Sequence, residues 1–420
     1  MKPIVRDLNI IYPAEQLERQ IQRYRAAEVG FAEHFGTLGE HRFFRAPGQT
    51  EICGNHTYHN NGKVLAASVD LDTIAIAEPI DEDFIEIKSE GFPSDRIELS
   101  DLEIHEDEKN SAAALIRGVV RGFKKSGHKI GGFRAYTTSA IIENGGLSRA
   151  AAFEVLVGTI LSHLYNGGQI SPVKVAQIAQ TAENTYFGRK CGMMSQLACS
   201  VGGFVSVDFK DDDTPIIEGI PFDFASCGHA LCIVDPKAEQ KDMQSEIEQI
   251  DKEMRMVAEF FDCTTLRSLS LADITLNIGG LRFKLGDRAV LRALHFFNEN
   301  ERVERAVHAL KHKNFDDFLT AARESGESSF KYLQNVYNSS DVRNQSISVA
   351  LILAENTLHR KGACKIHSVG FQGTIQAFVP MDMLKQFKMN TERAFGVGTC
   401  HVLTIRPTGA CEVLMEKKDR

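Results

Sequence analysis

The spacing of apolar residues changes along the chain, and each change predicts an element. Over residues 11–35, Leu17, Ile21, Tyr24 and Ala27 fall on one face of a helix. From Lys63 to Ala77 an apolar run alternates in its second half, and Phe84-Ile85-Glu86-Ile87 alternates again; both read as strands. Residues 111–125 predict a helix that stops before Gly127. The best-marked helix follows Gly145-Gly146-Leu147-Ser148, with Ser148 as its expected N-cap and Ala152, Leu156, Ile160 and Leu164 at four-residue spacing, until Asn166-Gly167-Gly168 ends it. Ser171-Pro172 opens a second helix that closes near Gly188, and a third runs from about Gly192 towards Cys199. Strands are expected at 204–209, 230–234, 373–379 and 400–406, and helices at 240–262, 287–297, 300–311 and 341–359. Segregated strands and helices of this kind suggest an α+β fold rather than a doubly wound parallel sheet. The polar stretch Asp211-Asp212-Asp213-Thr214-Pro215 marks the expected boundary between domains 1–213 and 214–420.

Composition narrows the classes. The 420 residues are 43% hydrophobic and 25% charged, which fits two or three folded domains and excludes a mostly disordered chain. The net charge is −8, with no basic stripe, so a nucleic-acid partner is not expected. No apolar run is long enough for a membrane span, and Met1 to Asp7 lacks the apolar core of a signal peptide, so the expected location is cytoplasmic. Nine cysteines without C-x-x-C spacing argue against a disulfide framework or a zinc site.

Three glycine-containing segments stand out: Ala46 to Asn60, Asn144 to Ala152 and His367 to Thr374. A glycine-rich turn is more often structural than functional. The second is sharper, because Gly-Gly feeding a helix presents unpaired N–H groups that suit a phosphate. In this order and spacing, together with Ala182-Glu183-Asn184, Cys191-Gly192-Met193-Met194 and Gly373 to Pro380, the chain resembles the galactokinases of the GHMP small-molecule kinase family. The resemblance implies an N-terminal domain like the second domain of ribosomal protein S5, a C-terminal ferredoxin-like domain, and a cleft between them for ATP, magnesium and a sugar. It places the sugar near Asn55, His56, Tyr58 and Gly192. It places the nucleotide on Gly145, Gly146, Leu147, Ser148, Arg149 and Ala150, and magnesium on Ser148 and Glu183.

The departures from the family pattern carry the functional expectation. The family's P-G-R reads Pro47-Gly48-Gln49 here, its H-T-D reads His56-Thr57-Tyr58, and its G-x-M-D-Q puts Ser195 where the general base belongs. The run L-S-S-S-A becomes Leu147-Ser148-Arg149-Ala150-Ala151, and G-G-G-F becomes Ser368-Val369-Gly370-Phe371. Phosphoryl transfer rests on in-line positioning and on cancelling charge at the equatorial oxygens. Gln49 brings no positive charge, and Ser195 has no useful basicity near neutral pH. Loss of a general base typically costs about 10²–10⁴ in rate. Replacing both members of a charge pair by neutral groups also avoids a buried unpaired charge, so positions 49 and 195 are expected to face each other.

Arg149 admits three readings: it neutralises Glu183 in place of magnesium, it points to solvent, or it binds a phosphate. His56 and His59 are read as hydrogen-bonded loop residues rather than substitute bases, and Cys53 as packing rather than a nucleophile. The expectation is a pseudokinase with a binding or regulatory role, in which ATP and magnesium bind weakly or not at all. The alternatives are an active sugar-1-kinase with altered substrate and a structural paralogue without a ligand.

Overall fold

A computed structural model describes residues 4–5, 7–36, 39–143, 145–211, 214–239, 243–339, 341–371 and 373–415. Asn144 and Gln372, which belong to two of the glycine-containing segments, lie outside the described residues, as do Asp212 and Asp213 at the expected boundary.

Among the described residues the larger sheet has nine strands. Seven run in the spatial order β1 (Ile4–Val5), β13 (Cys411–Val413), β2 (Arg42–Cys53), β3 (Lys63–Pro79), β6 (Phe133–Ser139), β4 (Phe84–Ser89) and β5 (Ser94–Glu98). The first half of β3 also pairs with β7 (Phe204–Asp208), which carries β8 (Ile216–Ile220). The smaller sheet is antiparallel and ordered β10 (Ala363–Ile366), β11 (Ile375–Pro380), β9 (His229–Val234) and β12 (Cys400–Leu403). The expected division at 213/214 falls between β7 and β8, two paired strands of the larger sheet. That sheet also takes back β13 from the far end of the chain.

Against the larger sheet lie α1 (Leu17–Phe35), α2 (Ala112–Lys125), α3 (Arg149–Tyr165) and α5 (Met194–Val201), with α4 (Pro172–Ala182) packed on α2, α3 and α5. The rest of the chain supplies α6 (Gln244–Glu259), α7 (Leu271–Leu276), α8 (Ile278–Leu285), α9 (Asp287–Lys311), α10 (Phe315–Ser328), α11 (Ser346–Leu358) and α12 (Leu384–Phe395).

The alternation in β3 shows why the sheet is covered on both faces. Ala67, Val69, Ala75 and Ala77 enter the main core with α2 and α3, while Ile74 and Ile76 pack with Tyr24, Ala27 and Phe31 of α1. Asp72 shares the period-two face of Ile74 and Ile76. It accepts from Tyr12 Oη at 2.5 Å, Arg23 Nη1 at 2.5 Å and Arg45 Nε at 2.8 Å. Burial raises the cost of its charge, and the two guanidiniums outweigh that, so Asp72 stays below the usual carboxylate range. The smaller sheet buries Leu231, Ile233 and Phe378 in the main core and packs its other face on α11 and α12.

Several expected bounds shift. The helix expected at 11–35 begins at Leu17, after short 3₁₀ turns around Pro13. The segments 287–297 and 300–311 are one helix, α9, which continues through 298 and 299 into Asn300. Its Nδ2 donates to the Phe296 carbonyl at 2.8 Å, and its Oδ1 accepts from Lys63 N at 2.6 Å. For the helix expected at 240–262, residues 240–242 lie outside the described residues and α6 starts at Gln244. Strand β2 was not among the strands expected by position, although the segment around Cys53 reads as β-rich, and it carries Pro47 and Gly48 within it. Pro47 pairs with Asp72 and Gln49 with Ser68, so the ladder passes Gly48 by a register shift in which residues 69–71 of β3 are the extra ones.

Candidate active site

Four pieces of chain meet where β2, the 54–60 loop and the N-termini of α3 and α5 converge. Just past the register shift against β3, Gln49 lies on the glycine loop, where its backbone N–H donates to the Leu147 carbonyl at 3.1 Å. Its amide nitrogen donates to Ser148 Oγ at 2.8 Å and to Ser195 Oγ at 3.3 Å, and Ser148 Oγ donates to Ser195 Oγ at 3.0 Å. Positions 49 and 195 therefore face each other across a closed, uncharged triangle. Gln49 is 3% exposed, and its Oε1 is buried without a partner.

Ser148 does not cap α3 as expected. It stands in the left-handed region at φ 57°, and its side chain makes no cap bond because its hydroxyl belongs to this triangle. Arg149 and Ala150 open the helix. Gly145 accepts through its carbonyl from Thr374 Oγ1 at 3.2 Å. Gly146 has φ 71°, and a Cβ there would come within 2.9 Å of His367 Nδ1, so only glycine lets the third glycine segment lie on the second. In that third segment Ser368, Gly370 and Phe371 have positive φ and Val369 does not. The β-branched residue is carried between left-handed neighbours.

Arg149 does not neutralise Glu183. It pairs with Glu143, and its side chain is 37% exposed, which is the solvent-facing reading. The cation at Glu183 is Arg189, whose Nε lies 2.8 Å from Oε1 and whose Nη2 contacts the same oxygen. Glu183 opens a π-helical turn that ends at Gly188 in the left-handed region, and this reversal returns Arg189 to the carboxylate. Glu183 Oε2 accepts from Gln196 Nε2 at 2.7 Å and from Cys191 Sγ at 3.1 Å. Sequence reasoning missed Arg189, because six residues separate the pair and no regular helix would join them. Gly188, immediately before Arg189 and free to take the left-handed turn, is the sequence signal that marks the reversal.

The expected sugar residues are gathered nearby. The Tyr58 ring lies on Gly192, where a Cβ would stand 2.5 Å from the ring, and its centroid is 3.7 Å from that of His59. Burial and nearby anionic groups raise the Tyr58 hydroxyl above its ordinary value. Asn55 is spent on structure: its Nδ2 donates to Glu51 at 2.8 Å and to the Ser368 carbonyl at 2.7 Å, and its Oδ1 accepts from Asn335 at 2.8 Å. His56 pairs through Nε2 with the Val369 carbonyl at 2.8 Å, which puts the proton on Nε2 and leaves Nδ1 bare and buried. Burial, then the neighbouring His59, pushes His56 down to about 3, and burial and Arg255 push His59 down to about 4. Both are neutral, weak bases at pH 7. Burial pushes the Cys53 thiol up to about 12, as packing requires and nucleophilicity does not.

The magnesium ligands expected from the resemblance do not fit a metal. Ser148 Oγ is taken by two partners and the Glu183 oxygens by four. Among the described residues no group of three or more His, Cys, Asp or Glu is placed to hold an ion.

Comparison with known proteins agrees with this architecture. The galactokinase galactose-binding signature matches residues 30–79, and the N-terminal domain of GHMP kinases matches residues 114–203. The chain is galactokinase-like, with the GHMP kinase fold. A galactokinase of Clostridium tetani is 25% identical over 353 residues, 83% of this chain and 87% of that protein. One from Streptomyces coelicolor is 29% identical over 68% of this chain and 73% of its own length. The structure of Lactococcus lactis galactokinase complexed with galactose superposes with TM-score 0.78 at 23% identity, covering 92% of this chain and 99% of that one. The mevalonate kinase of Methanococcus jannaschii gives 0.61 at 14% identity, covering 88% and 99%. Among the described residues of the galactokinase-like chain, no helix is long and apolar enough to cross a membrane.

Proposed function

We propose that this chain is a pseudokinase of the galactokinase type, a protein of sugar metabolism whose cleft serves binding or regulation and does not transfer phosphate. The observation that carries the reading is the neutral triangle of Gln49, Ser148 and Ser195. A kinase needs a base at the acceptor hydroxyl and positive charge at the moving phosphoryl group. The triangle offers three neutral groups already bonded to one another. His56 and His59, held down to about 3 and about 4, do not supply the base. The reading extends to the cofactor: Mg-ATP binds weakly, since Ser148 and Glu183 are spent and Arg149 faces Glu143.

The second reading is an active ATP-dependent sugar-1-kinase with an altered substrate. What favours it is the galactose-binding signature over residues 30–79, which spans Gln49 and Tyr58. A coupled assay of ATP turnover with galactose and related hexoses, on protein free of host kinase, decides between them. The pseudokinase reading expects no sugar-dependent turnover. A rate within about a hundredfold of ordinary kinases, roughly 1–100 per second, overturns it.

A further inference from the structure

A carboxylate offers about four lone-pair positions. At Glu183 all four have a donor. Oε1 takes Nε and Nη2 of Arg189, and Oε2 takes the Gln196 amide and the Cys191 thiol. The carboxylate is 3% exposed, whereas the Arg189 side chain is 60% exposed, so the cation comes from the solvent side and closes over a buried anion. Magnesium asks for near-octahedral oxygen ligands at about 2.0–2.1 Å and gives up its own waters reluctantly. To reach Glu183 it would have to displace a guanidinium that donates twice to Oε1 and is tethered only six residues away, and then sit beside that like charge. The other oxygen expected to serve it, Ser148 Oγ, is closed into the triangle with Gln49 and Ser195. Gln196 ties the arrangement to the core through a second contact, with Glu154 Oε2 at 3.3 Å.

We infer that Arg189 is the resident cation of this site: its guanidinium holds Glu183 where a divalent metal would otherwise be held, and it shuts the site to divalent ions. Arg189 is thus a positioning residue whose removal should open a metal site that the intact chain lacks. The inference rests on the reading of the cleft as one that does not transfer phosphate, and it can fail separately from that reading.

The test titrates Mn²⁺ into the full chain and follows the free-ion signal by electron paramagnetic resonance. The intact protein and Glu183→Gln should leave the signal equally unchanged up to millimolar ion. Arg189→Ala should remove about one ion per chain, Arg189→Lys should restore exclusion, and Arg189→Ala/Glu183→Gln should lose the gained site. Mn²⁺ binding by the intact chain that Glu183→Gln abolishes overturns the inference. So does an Arg189→Ala protein that is folded by near-ultraviolet circular dichroism and gains no ion. The comparison of intact chain with Glu183→Gln stands even if Arg189→Ala does not fold. Sugar-dependent ATP turnover with no bound Mn²⁺ would remove the proposed function and leave this inference intact. Mn²⁺ held at Glu183 without turnover would do the reverse.

Discussion

If Gln49 and Ser195 occupy the places of an opposed charge pair, restoring the charges should reveal coupling that neither single change shows. Gln49 Nε2 stands 3.3 Å from Ser195 Oγ in a pocket where Gln49 is 3% exposed. Ser195→Asp puts a carboxylate there with two neutral donors in reach, the Ser148 hydroxyl and the Gln49 amide. Each hydrogen bond to a charged group returns about 1.5–3 kcal/mol, so this single change should cost less than an uncompensated buried charge, about 3–5 kcal/mol. Gln49→Arg has only hydroxyl acceptors and also adds volume, and it should be the worse of the two. In the double variant, opposite charges about 4 Å apart attract by about 4 kcal/mol at an effective dielectric of 20. Desolvation removes much of that, leaving an expected coupling of about 1–3 kcal/mol. The assay is urea unfolding of the four proteins, analysed as a double-mutant cycle, at neutral pH and again in acid. Pairing lowers the pKa of the new aspartate. The coupling is therefore fully present above the unfolded value of about 3.9 and is lost as pH falls through the folded value. Additivity to within about 0.5 kcal/mol at neutral pH, with all four proteins folded, would mean that the two positions do not face each other.

Two further outcomes follow from contacts around the cleft. Gly192→Ala should destabilise by about 1–3 kcal/mol, because its Cβ would lie 2.5 Å from the Tyr58 ring, and Tyr58→Ala should relieve most of that cost in the double variant; urea midpoints report both. Glu299 anchors the 54–60 loop by accepting from Gly54 N at 2.9 Å and Ser325 at 2.6 Å. Although burial opposes it, Arg302, His295 and Lys365 pull its carboxyl down to about 2. A lowered folded pKa gives stability that is present above the unfolded value of 4.5 and lost as pH falls towards 2. Glu299→Gln should therefore flatten the acid limb of a stability-against-pH curve over that window, and an unchanged limb would refute the assignment.

Period and punctuation made much of the fold legible. The cover of β3 on two faces is written in its alternation, and Ser171-Pro172 opens α4 with the Ser171 hydroxyl capping Lys174 N at 3.2 Å. What failed, failed where tertiary contacts override local signals. Pro47 and Gly48 run on within β2 because β3 absorbs the register shift opposite them, and the gap expected at 298–299 is closed in one continuous α9. Ser148 has the residue type and place of a cap, but a better partner at Ser195 takes its hydroxyl. The pairing of Gln49 with Ser195 was legible, because a missing charge at one position makes sense only with its partner, but the entry of Ser148 between them was not. Arg189 was not, because a π turn sets its distance from Glu183 and no helical or strand period does.

The same electrostatics separate the two ligands that a sugar kinase brings together. Glu183 is matched by Arg189, and Arg149 by Glu143. Gln49, Ser148 and Ser195 carry no charge, and His56 and His59 are neutral. Burial, reinforced by the Glu183 charge, raises Glu154 well above the carboxylate range and favours its uncharged form. These groups leave no surplus positive charge for a triphosphate, whereas a neutral sugar needs none. On the proposed reading, what a sugar would meet is a matter of shape, since the Tyr58 ring lies over Gly192. Tyr58→Asp removes the ring and supplies an acceptor while adding negative charge. It should therefore strengthen galactose binding, by the several-fold or more that a buried hydrogen bond of about 1 kcal/mol brings, and leave ATP no better bound. Calorimetry with each ligand on the intact and Tyr58→Asp proteins reads both effects. If Tyr58→Asp gained ATP affinity and no galactose affinity, charge balance would not be what governs this cleft.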